Sequence, residues 1–210
     1  KMMIIHKFVT VIIVTNTYFL YVENTNEAVV VDPAACPKKL MNFIQEEGLD
    51  MKAVLLTHGH FDHIMGIQDF RKVYDVPVYA GEREAALLQD AHWNQSDIYT
   101  NGYTFSDAVY VKDGEMLHIA GFDIQVFFTP GHTPGGVCYY LADEGILFSG
   151  DTLFHHSVGR TDFEGGSMSD LVRGIEEKLL CLPDETKVLP GHMDATTIGE
   201  EKKYNPFLRK

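Results

Sequence analysis

Cysteine is scarce in this chain of 210 residues, and its three cysteines lie far apart. They are Cys36, Cys138 and Cys181, and no two of them form a CxxC pair. The sequence therefore predicts neither a disulfide framework nor a cysteine-ligated zinc site. Free thiols are typical of proteins in a reducing compartment, so we expect a cytoplasmic protein.

Basic residues are also few, with 17 Lys and Arg against 30 Asp and Glu, which gives a formal net charge of -13. Nucleic acids and anionic membrane surfaces are bound by basic patches. The chain also lacks the run of about 18 apolar residues that a membrane helix needs. We therefore expect a small-molecule substrate and no nucleic-acid or membrane partner, while the oligomeric state stays open.

Short apolar runs bounded by turn residues predict strands in two groups, each followed by helices. This order favours an α+β fold in which two sheets pack face to face with helices outside both. No linker divides the chain, so we expect one domain over residues 1–210. Residues 91–112 are irregular and aromatic, and either cover a pocket as a lid or form a packed insertion. The predicted strands are 8–14, 18–22, 28–31, 53–56, 76–80, 116–119, 122–128, 137–141, 146–148 and 187–189, and the predicted helices are 37–47, 64–74, 82–89, 169–180 and 197–204.

One segment, Thr-His-Gly-His-Phe-Asp-His at residues 57–63, directly follows the apolar run at 53–56. In extended backbone, residues two apart point to the same side. His58 and His60 can therefore hold one metal ion, while Asp62 and His63 fall out of step and can reach a second. A structural turn has no need of three imidazoles at this spacing.

Three other predicted strands end in the same way, with glycine followed by a residue that can bind a metal. They run into Pro-Gly-His132, Gly-Asp151 and Pro-Gly-His192. Glycine allows a tight turn and lets an ion come close to the backbone. Each histidine alone would be an ordinary loop residue, but four such strand ends together predict a site for two ions.

These motifs resemble those of the metallo-β-lactamase fold superfamily over nearly the whole chain. The resemblance implies an αββα sandwich of two mixed sheets flanked by helices, with the metals at one edge. It also implies that Asp151 bridges the two ions, with a hydroxide between them as nucleophile. The ligand sets that it implies are His58, His60 and His132 for the first ion, and Asp62, His63 and His192 for the second.

Within the superfamily, Asp at position 151 and the sequence from Gly150 to Phe163 are similar to the short, bacterial, glyoxalase II-like hydrolases. That resemblance implies hydrolysis of thioesters such as S-lactoylglutathione, with Asp62 and Asp151 as catalytic residues that also handle the proton of the water. It implies two divalent ions, with zinc favoured over iron or manganese. A basic residue matching Arg160 binds glutathione in that branch; otherwise Arg160 forms a structural ion pair.

The resemblance has one departure and leaves two alternatives. Long glyoxalase II enzymes continue into a C-terminal helical domain that binds glutathione, and this sequence shows none before Lys210. The motif Gly-Arg-Thr-Asp-Phe is also similar to persulfide dioxygenases, which use one iron. Other hydrolases of the fold, acting on lactones or lactams, are the second alternative.

Several polar residues near these motifs have two interpretations. Asp32, before Pro33, is either a turn former or a carboxylate that holds the metal loop. His155 and His156 are interpreted as loop residues and not as ligands.

Overall fold

The computed structural model describes residues 2–11 and 13–208. In the first half the elements are β1 (Met3–Val9), β2 (Asn16–Val22), β3 (Glu27–Val31), α1 (Lys38–Glu46), β4 (Asp50–Leu55), α2 (Phe61–Ile64), α3 (Ile67–Val73), β5 (Val78–Gly81), a 3-10 turn (Glu82–Glu84), α4 (Ala85–Leu88), α5 (Ser96–Tyr99) and β6 (Val109–Val111). In the second half they are β7 (Met116–Ile119), β8 (Phe122–Phe128), β9 (Val137–Leu141), β10 (Ile146–Gly150), β11 (Leu153–Phe154), β12 (Ser157–Val158), α6 (Met168–Gly174) with a π-helical turn (Ile175–Leu179), β13 (Lys187–Pro190), β14 (Thr196–Thr197) and α7 (Ile198–Tyr204).

The strands form two six-stranded sheets and one small hairpin, β11–β12. The first sheet has the order β1-β2-β3-β4-β5-β6, antiparallel up to β3 and parallel from there on. The second has the order β14-β13-β10-β9-β8-β7, in which β10 and β13 are parallel and the other pairs antiparallel. Both sheets are therefore mixed, as predicted.

The two sheets share a core because alternate residues of their strands face each other. Tyr18 and Leu20 of β2 lie in the core between the sheets, while Phe19 and Tyr21 lie in a second core on the outer face. This is the period of two that a strand buried on both faces must show. Sheet-on-sheet packing therefore fixes the central layers.

Helices cover both outer faces. Leu40 and Ile44 of α1 pack in the outer core of the first sheet, and Leu171 of α6 and Ile198 of α7 pack in that of the second. The result is the predicted αββα sandwich. Within residues 2–11 and 13–208, none of the helices combines the length and the apolarity that crossing a membrane requires.

The predicted strand at 8–14 is wrong in its position. Strand β1 begins at Met3 and ends at Val9, which pairs with Asn16 of β2. Of the remaining residues of that prediction, Ile12 lies outside the described residues, and the others belong to the connection between β1 and β2. The prediction was misplaced because it relied on apolar residues. Val11 and Val14 are apolar, but they are exposed, 94% and 61%.

Two further predictions are refined by tertiary contacts. The predicted helix at 64–74 is interrupted at Gly66, whose amide donates to the carbonyl oxygen of Pro33 (2.8 Å), and a Cβ at this position would lie 2.6 Å from the same oxygen. The loop at 91–112 contains α5 and β6, and its Asn94 is fully buried. The Asn94 carbonyl accepts a bond from the amide of Phe61 (2.9 Å), so this part of the segment is a packed insertion against the metal-binding loop.

Candidate metal centre

The predicted ligands come from strand ends that meet at one edge of the sandwich. Strands β8, β10 and β13 run in the same direction, so their carboxyl ends lie on the same edge of the second sheet. His132, Asp151 and His192 follow these three ends. In the first sheet, β4 ends at Leu55, and the segment 57–63 begins two residues later. The sheet topology therefore places His58 and His192 at the same edge of the sandwich, although they are 134 positions apart in sequence.

The structure brings all seven predicted metal ligands together. Their ligand atoms form overlapping groups in which all atoms lie within 4.8 Å of one another. The three groups are His58 with His60 and His132, then Asp62 with His63 and His192, and finally His58 with His63 and Asp151.

Asp151 lies between the first two groups. Its Oδ2 is 3.3 Å from His132 Nε2 in one group and 3.2 Å from His192 Nε2 in the other. Its Oδ1 is 3.3 Å from His63 Nε2. The contacts place one carboxylate against both groups, which is the arrangement that a bridging ligand needs.

The outward nitrogens of three histidines are held by acceptors. His63 Nδ1 lies 2.9 Å from Asp32 Oδ2, His132 Nδ1 lies 2.7 Å from the carbonyl oxygen of Arg160, and His192 Nδ1 lies 2.7 Å from that of Val14. Carbonyl oxygens can only accept, so Nδ1 of His132 and of His192 is the protonated nitrogen. In the neutral ring, each Nε2 would then direct a lone pair at the centre, which is the form a metal ligand requires.

Asp32 fixes the start of the metal-binding loop. Its carboxylate accepts bonds from the amide and the hydroxyl of Thr57, at 2.8 and 2.6 Å, as well as facing His63. Asp32 itself has a positive φ of 50°, a conformation that Asp tolerates better than most residues. The interpretation that Asp32 holds this loop is therefore confirmed by its contacts.

Glu84 is a second buried carboxylate that holds the metal-binding loop in place, and the sequence analysis missed it. Its carboxylate accepts bonds from the amide of Gly59 (2.9 Å), the hydroxyl of Thr133 (2.7 Å) and the amide of Gly135 (3.2 Å). Burial raises the pKa of Glu84 to about 7, against the lowering effect of these donors. The side chain ties the His58–His60 loop to the loop after His132. No pattern in a single sequence marks it, because its partners are chosen by tertiary contact.

The electrostatics differ between the two ligand groups. Burial lowers the pKa of His60 to about 3, and it moves the pKa of His58 well below its ordinary value. Burial also lowers the pKa of His192, but its hydrogen bonds to Asp151 and Asp62 outweigh this and raise it to about 10. The carboxylates thus draw a proton onto the histidine that faces them, at the place where a cation would serve the same purpose.

Two buried polar atoms without a good hydrogen bond test whether metal ions fit at this site. Within the described part of the chain, His58 Nε2 and Asp151 Oδ1 are buried and form no well-aligned hydrogen bond, although His63 Nε2 lies 3.3 Å from Asp151 Oδ1. Leaving such atoms unsatisfied costs about 1–3 kcal/mol each, and coordination would satisfy both. Gly191 leaves room beside them, because a Cβ there would lie 2.5 Å from Asp151 Oδ1 and 2.6 Å from His63 Cε1. The donor set of imidazoles and carboxylates suits zinc, iron or manganese.

The model of the metallo-beta-lactamase superfamily matches residues 12–192. The chain belongs to this superfamily. Membership of the superfamily and the clusters of His and Asp in this chain together suggest a dinuclear metal site. The identity of the metal is open.

Relatives and solved structures agree with this assignment. "Probable metallo-hydrolase YqgX" of Bacillus subtilis (strain 168) is 41% identical over 92% of both chains. "Hydroxyacylglutathione hydrolase GloC" of Haemophilus influenzae (strain ATCC 51907 / DSM 11121 / KW20 / Rd) is 33% identical over 89% of both. The crystal structure of BLEG-1 B3 metallo-beta-lactamase has a TM-score of 0.92 and 40% identity, and the match covers 99% of this chain and 100% of that one. The chain is thus a metallo-hydrolase of the superfamily.

Arg160 lies at the rim of a cleft of about 420 Å³ that opens over the site. Its guanidinium forms two bonds of 2.7 Å to the carboxylate of Asp162 and lies 4.1 Å from the centre of the Phe163 ring. Both interpretations of Arg160 therefore have support, since it is an exposed ion pair and it also lines the cleft. The backbone carbonyl oxygen of Arg160 holds His132, and nothing in the sequence predicted this contact.

His155 and His156 form a separate group with Glu201. His156 Nε2 lies 2.8 Å from Glu200 Oε1, and the buried Glu201 carboxylate accepts bonds from the His156 amide and the Thr196 hydroxyl. The pair lies at the turn of the β11–β12 hairpin, as expected of loop residues.

Proposed function

We propose that this metallo-hydrolase cleaves thioesters, with S-lactoylglutathione as a representative substrate. The observation that carries the proposal is the position of Asp151, whose carboxylate contacts both ligand groups. The name of the Haemophilus relative, a hydroxyacylglutathione hydrolase, supports the choice of a thioester. We also propose that residues 1–210 form one domain and that it acts in the cytoplasm.

Seven residues would hold the two metal ions, for which we favour zinc. They are His58, His60 and His132 for the first ion, Asp62, His63 and His192 for the second, and Asp151 for both. Metal ions in such a site lower the pKa of a bound water to about 7 and polarise a carbonyl oxygen. A thiolate is a good leaving group, so the reaction does not depend on a strong general acid.

The chain's own carboxylates would handle the proton of the attacking water. Asp62 Oδ2 lies 3.3 Å from His192 Nε2 and accepts a bond of 3.3 Å from the Thr15 hydroxyl, so its position is fixed from two sides. Desolvation raises the pKa of Asp151, but the field of the buried histidines outweighs it and holds this pKa well below its usual range, which keeps the carboxylate ionised as a ligand. Arg160 at the rim would bind a carboxylate of the thiol carrier.

The test is hydrolysis of S-lactoylglutathione by the purified protein, measured as isolated, after chelation and after zinc is added back. We expect turnover that chelation abolishes and zinc restores, with about two metal ions per chain by elemental analysis. Turnover that survives complete metal removal would contradict the proposal, and so would the absence of any thioester turnover in the zinc-loaded protein.

A lactam is the second candidate substrate, favoured by the likeness to a structure named as a B3 metallo-beta-lactamase. The same preparation is therefore assayed with a penicillin and a carbapenem. Oxygen uptake with glutathione persulfide, together with bound iron, tests the dioxygenase alternative. Either activity, in the absence of thioester hydrolysis, would replace the proposal.

A further inference from the structure

A large groove lies beside the metal centre and is not needed to hold the ions. It has a volume of about 890 Å³, within the range of ligand sites in proteins. Its walls come from β1 and the connection between β1 and β2, from the start of α1 and the residues that lead into it, and from α2 and α5. Most of the side chains in it are apolar; they include Val9, Val11, Ile13, Leu40, Phe61 and Met65.

The groove adjoins the cleft over the metal centre. Phe61 and Tyr99 line both, and their rings stack at 4.6 Å to form the shared wall. Asp62 also lines both, and its Oδ2 lies 3.3 Å from His192 Nε2. The groove is therefore the neighbouring space towards which one arm of a molecule bound at the metal centre would extend.

The two spaces differ in chemistry. Besides the ligands, the cleft over the metal centre is lined by three polar residues, Gln95, Ser157 and Arg160, and by apolar and aromatic residues that include Phe154, Val158 and Phe163. Lys7, Lys39 and Asp69 also line the groove, but all three are exposed, so their charged groups can stay in water while the alkyl stems of the lysines border an apolar ligand. A thioester has two arms, a polar thiol carrier and an acyl chain; Arg160 and the other polar residues of the cleft suit the first, and the more apolar groove suits the second.

We propose that the groove binds an extended, unbranched acyl chain, so that the preferred substrates are thioesters of medium-chain or long-chain fatty acids. This proposal rests on the proposed thioester hydrolysis and specifies its substrate class. Each methylene that enters the groove leaves water, and burying it is worth up to about a fourfold gain in kcat/KM.

The test compares acyl-glutathiones from acetyl through hexanoyl to decanoyl. We expect kcat/KM to rise at least about tenfold between the acetyl and decanoyl thioesters, because several buried methylenes contribute. In parallel, calorimetry on the metal-free protein measures binding of the non-hydrolysable S-methylglutathione and S-decylglutathione, and we expect the decyl compound to bind more tightly.

The chain offers a matched pair of variants. Val9 lines the groove near the end of edge strand β1 and is 49% exposed, whereas Val109 on the opposite edge strand β6 is 47% exposed and lines neither the groove nor the cleft. Val9→Trp and Val9→Asp should lower kcat/KM for the decanoyl thioester about tenfold and abolish the binding preference for the decyl compound. Val109→Trp and Val109→Asp should change neither, and the acetyl thioester should be insensitive to all four.

The outcomes separate this proposal from the proposed function. Equal kcat/KM along the series, with equal binding of the two S-alkyl compounds, would overturn the acyl groove and leave thioester hydrolysis standing. No thioester turnover at all, with the decyl preference retained and lost in Val9→Trp, would overturn the hydrolysis and keep the groove. A dimer in sedimentation that Val9→Trp dissociates would show that a second copy covers the groove, and would also overturn the proposal.

Discussion

Two histidine clusters in this chain have similar composition and different hydrogen bonding. In the cluster around Asp151, His58 Nε2 and Asp151 Oδ1 are buried without a well-aligned hydrogen bond in the described part of the chain. In the cluster of His155, His156 and Glu201, the carboxylate is saturated by protein donors and the imidazoles are about half exposed. The difference shows that proximity of ligand-type residues is not enough; a metal centre also needs lone pairs that the protein orients and leaves unused.

Of the variants that test the contrast between the two clusters, the removal of the Asp151 carboxylate should have the largest effect on activity and metal content. In Asp151→Ala, both ligand groups lose the contact that joins them, and the surrounding imidazoles lose their negative partner. We expect activity to fall on the order of 10³-fold or more, beyond the 10–100-fold typical of residues behind the ligands, and bound metal to fall below two ions per chain. The measurements are thioester hydrolysis and elemental analysis. Full activity of this variant would refute the bridging role.

Asp32→Asn should have an intermediate effect because it acts through His63. The asparagine amide would donate towards His63 Nδ1, so that the proton of the ring moves to Nε2, which faces the centre. We expect zinc affinity to fall about 10–100-fold, the usual cost of losing a partner behind a ligand. Competition with a chelating dye measures it.

A surface variant serves as the control for that experiment. Asp50→Asn changes the same group where it is 60% exposed and, among the described residues, forms its ion pair with Lys52. It should leave zinc affinity unchanged. The role assigned to Asp32 would be wrong if Asp32→Asn and Asp50→Asn bound zinc equally well.

The double variant of His155→Ala and His156→Ala should have the smallest effect. The exposed pair of His156 and Glu200 contributes at most about 1 kcal/mol, and Glu201 keeps its bonds from Thr196 and Asn205. We expect unchanged metal content, activity within about twofold and a small shift in Tm. Loss of one metal ion per chain in the variant would show that this cluster is a metal site as well, and would remove the contrast between the two clusters.

Several parts of the architecture could be predicted because they depend on local patterns. The strands of the second sheet follow from apolar runs between glycine-containing turns, and 116–119, 122–128 and 137–141 match β7, β8 and β9 at both ends. Strand β1 was misplaced because its apolar run continues into the connection, where pairing with β2 and not apolarity decides the end. Gly66 divides a helical pattern for a reason outside that pattern, namely the approach of the backbone at Pro33.

By itself, the sequence determined which residues could bind metal and where along the chain they lie, because imidazoles and carboxylates after glycine-containing strand ends are a local signal. Only the tertiary structure decided which atoms meet. Asp32, Glu84 and the carbonyl oxygens of Val14 and Arg160 orient the ligand loops across distances of up to 178 positions in sequence. The groove beside the centre is likewise a product of packing. Four separate segments enclose it, and the sequence of no single segment predicts it.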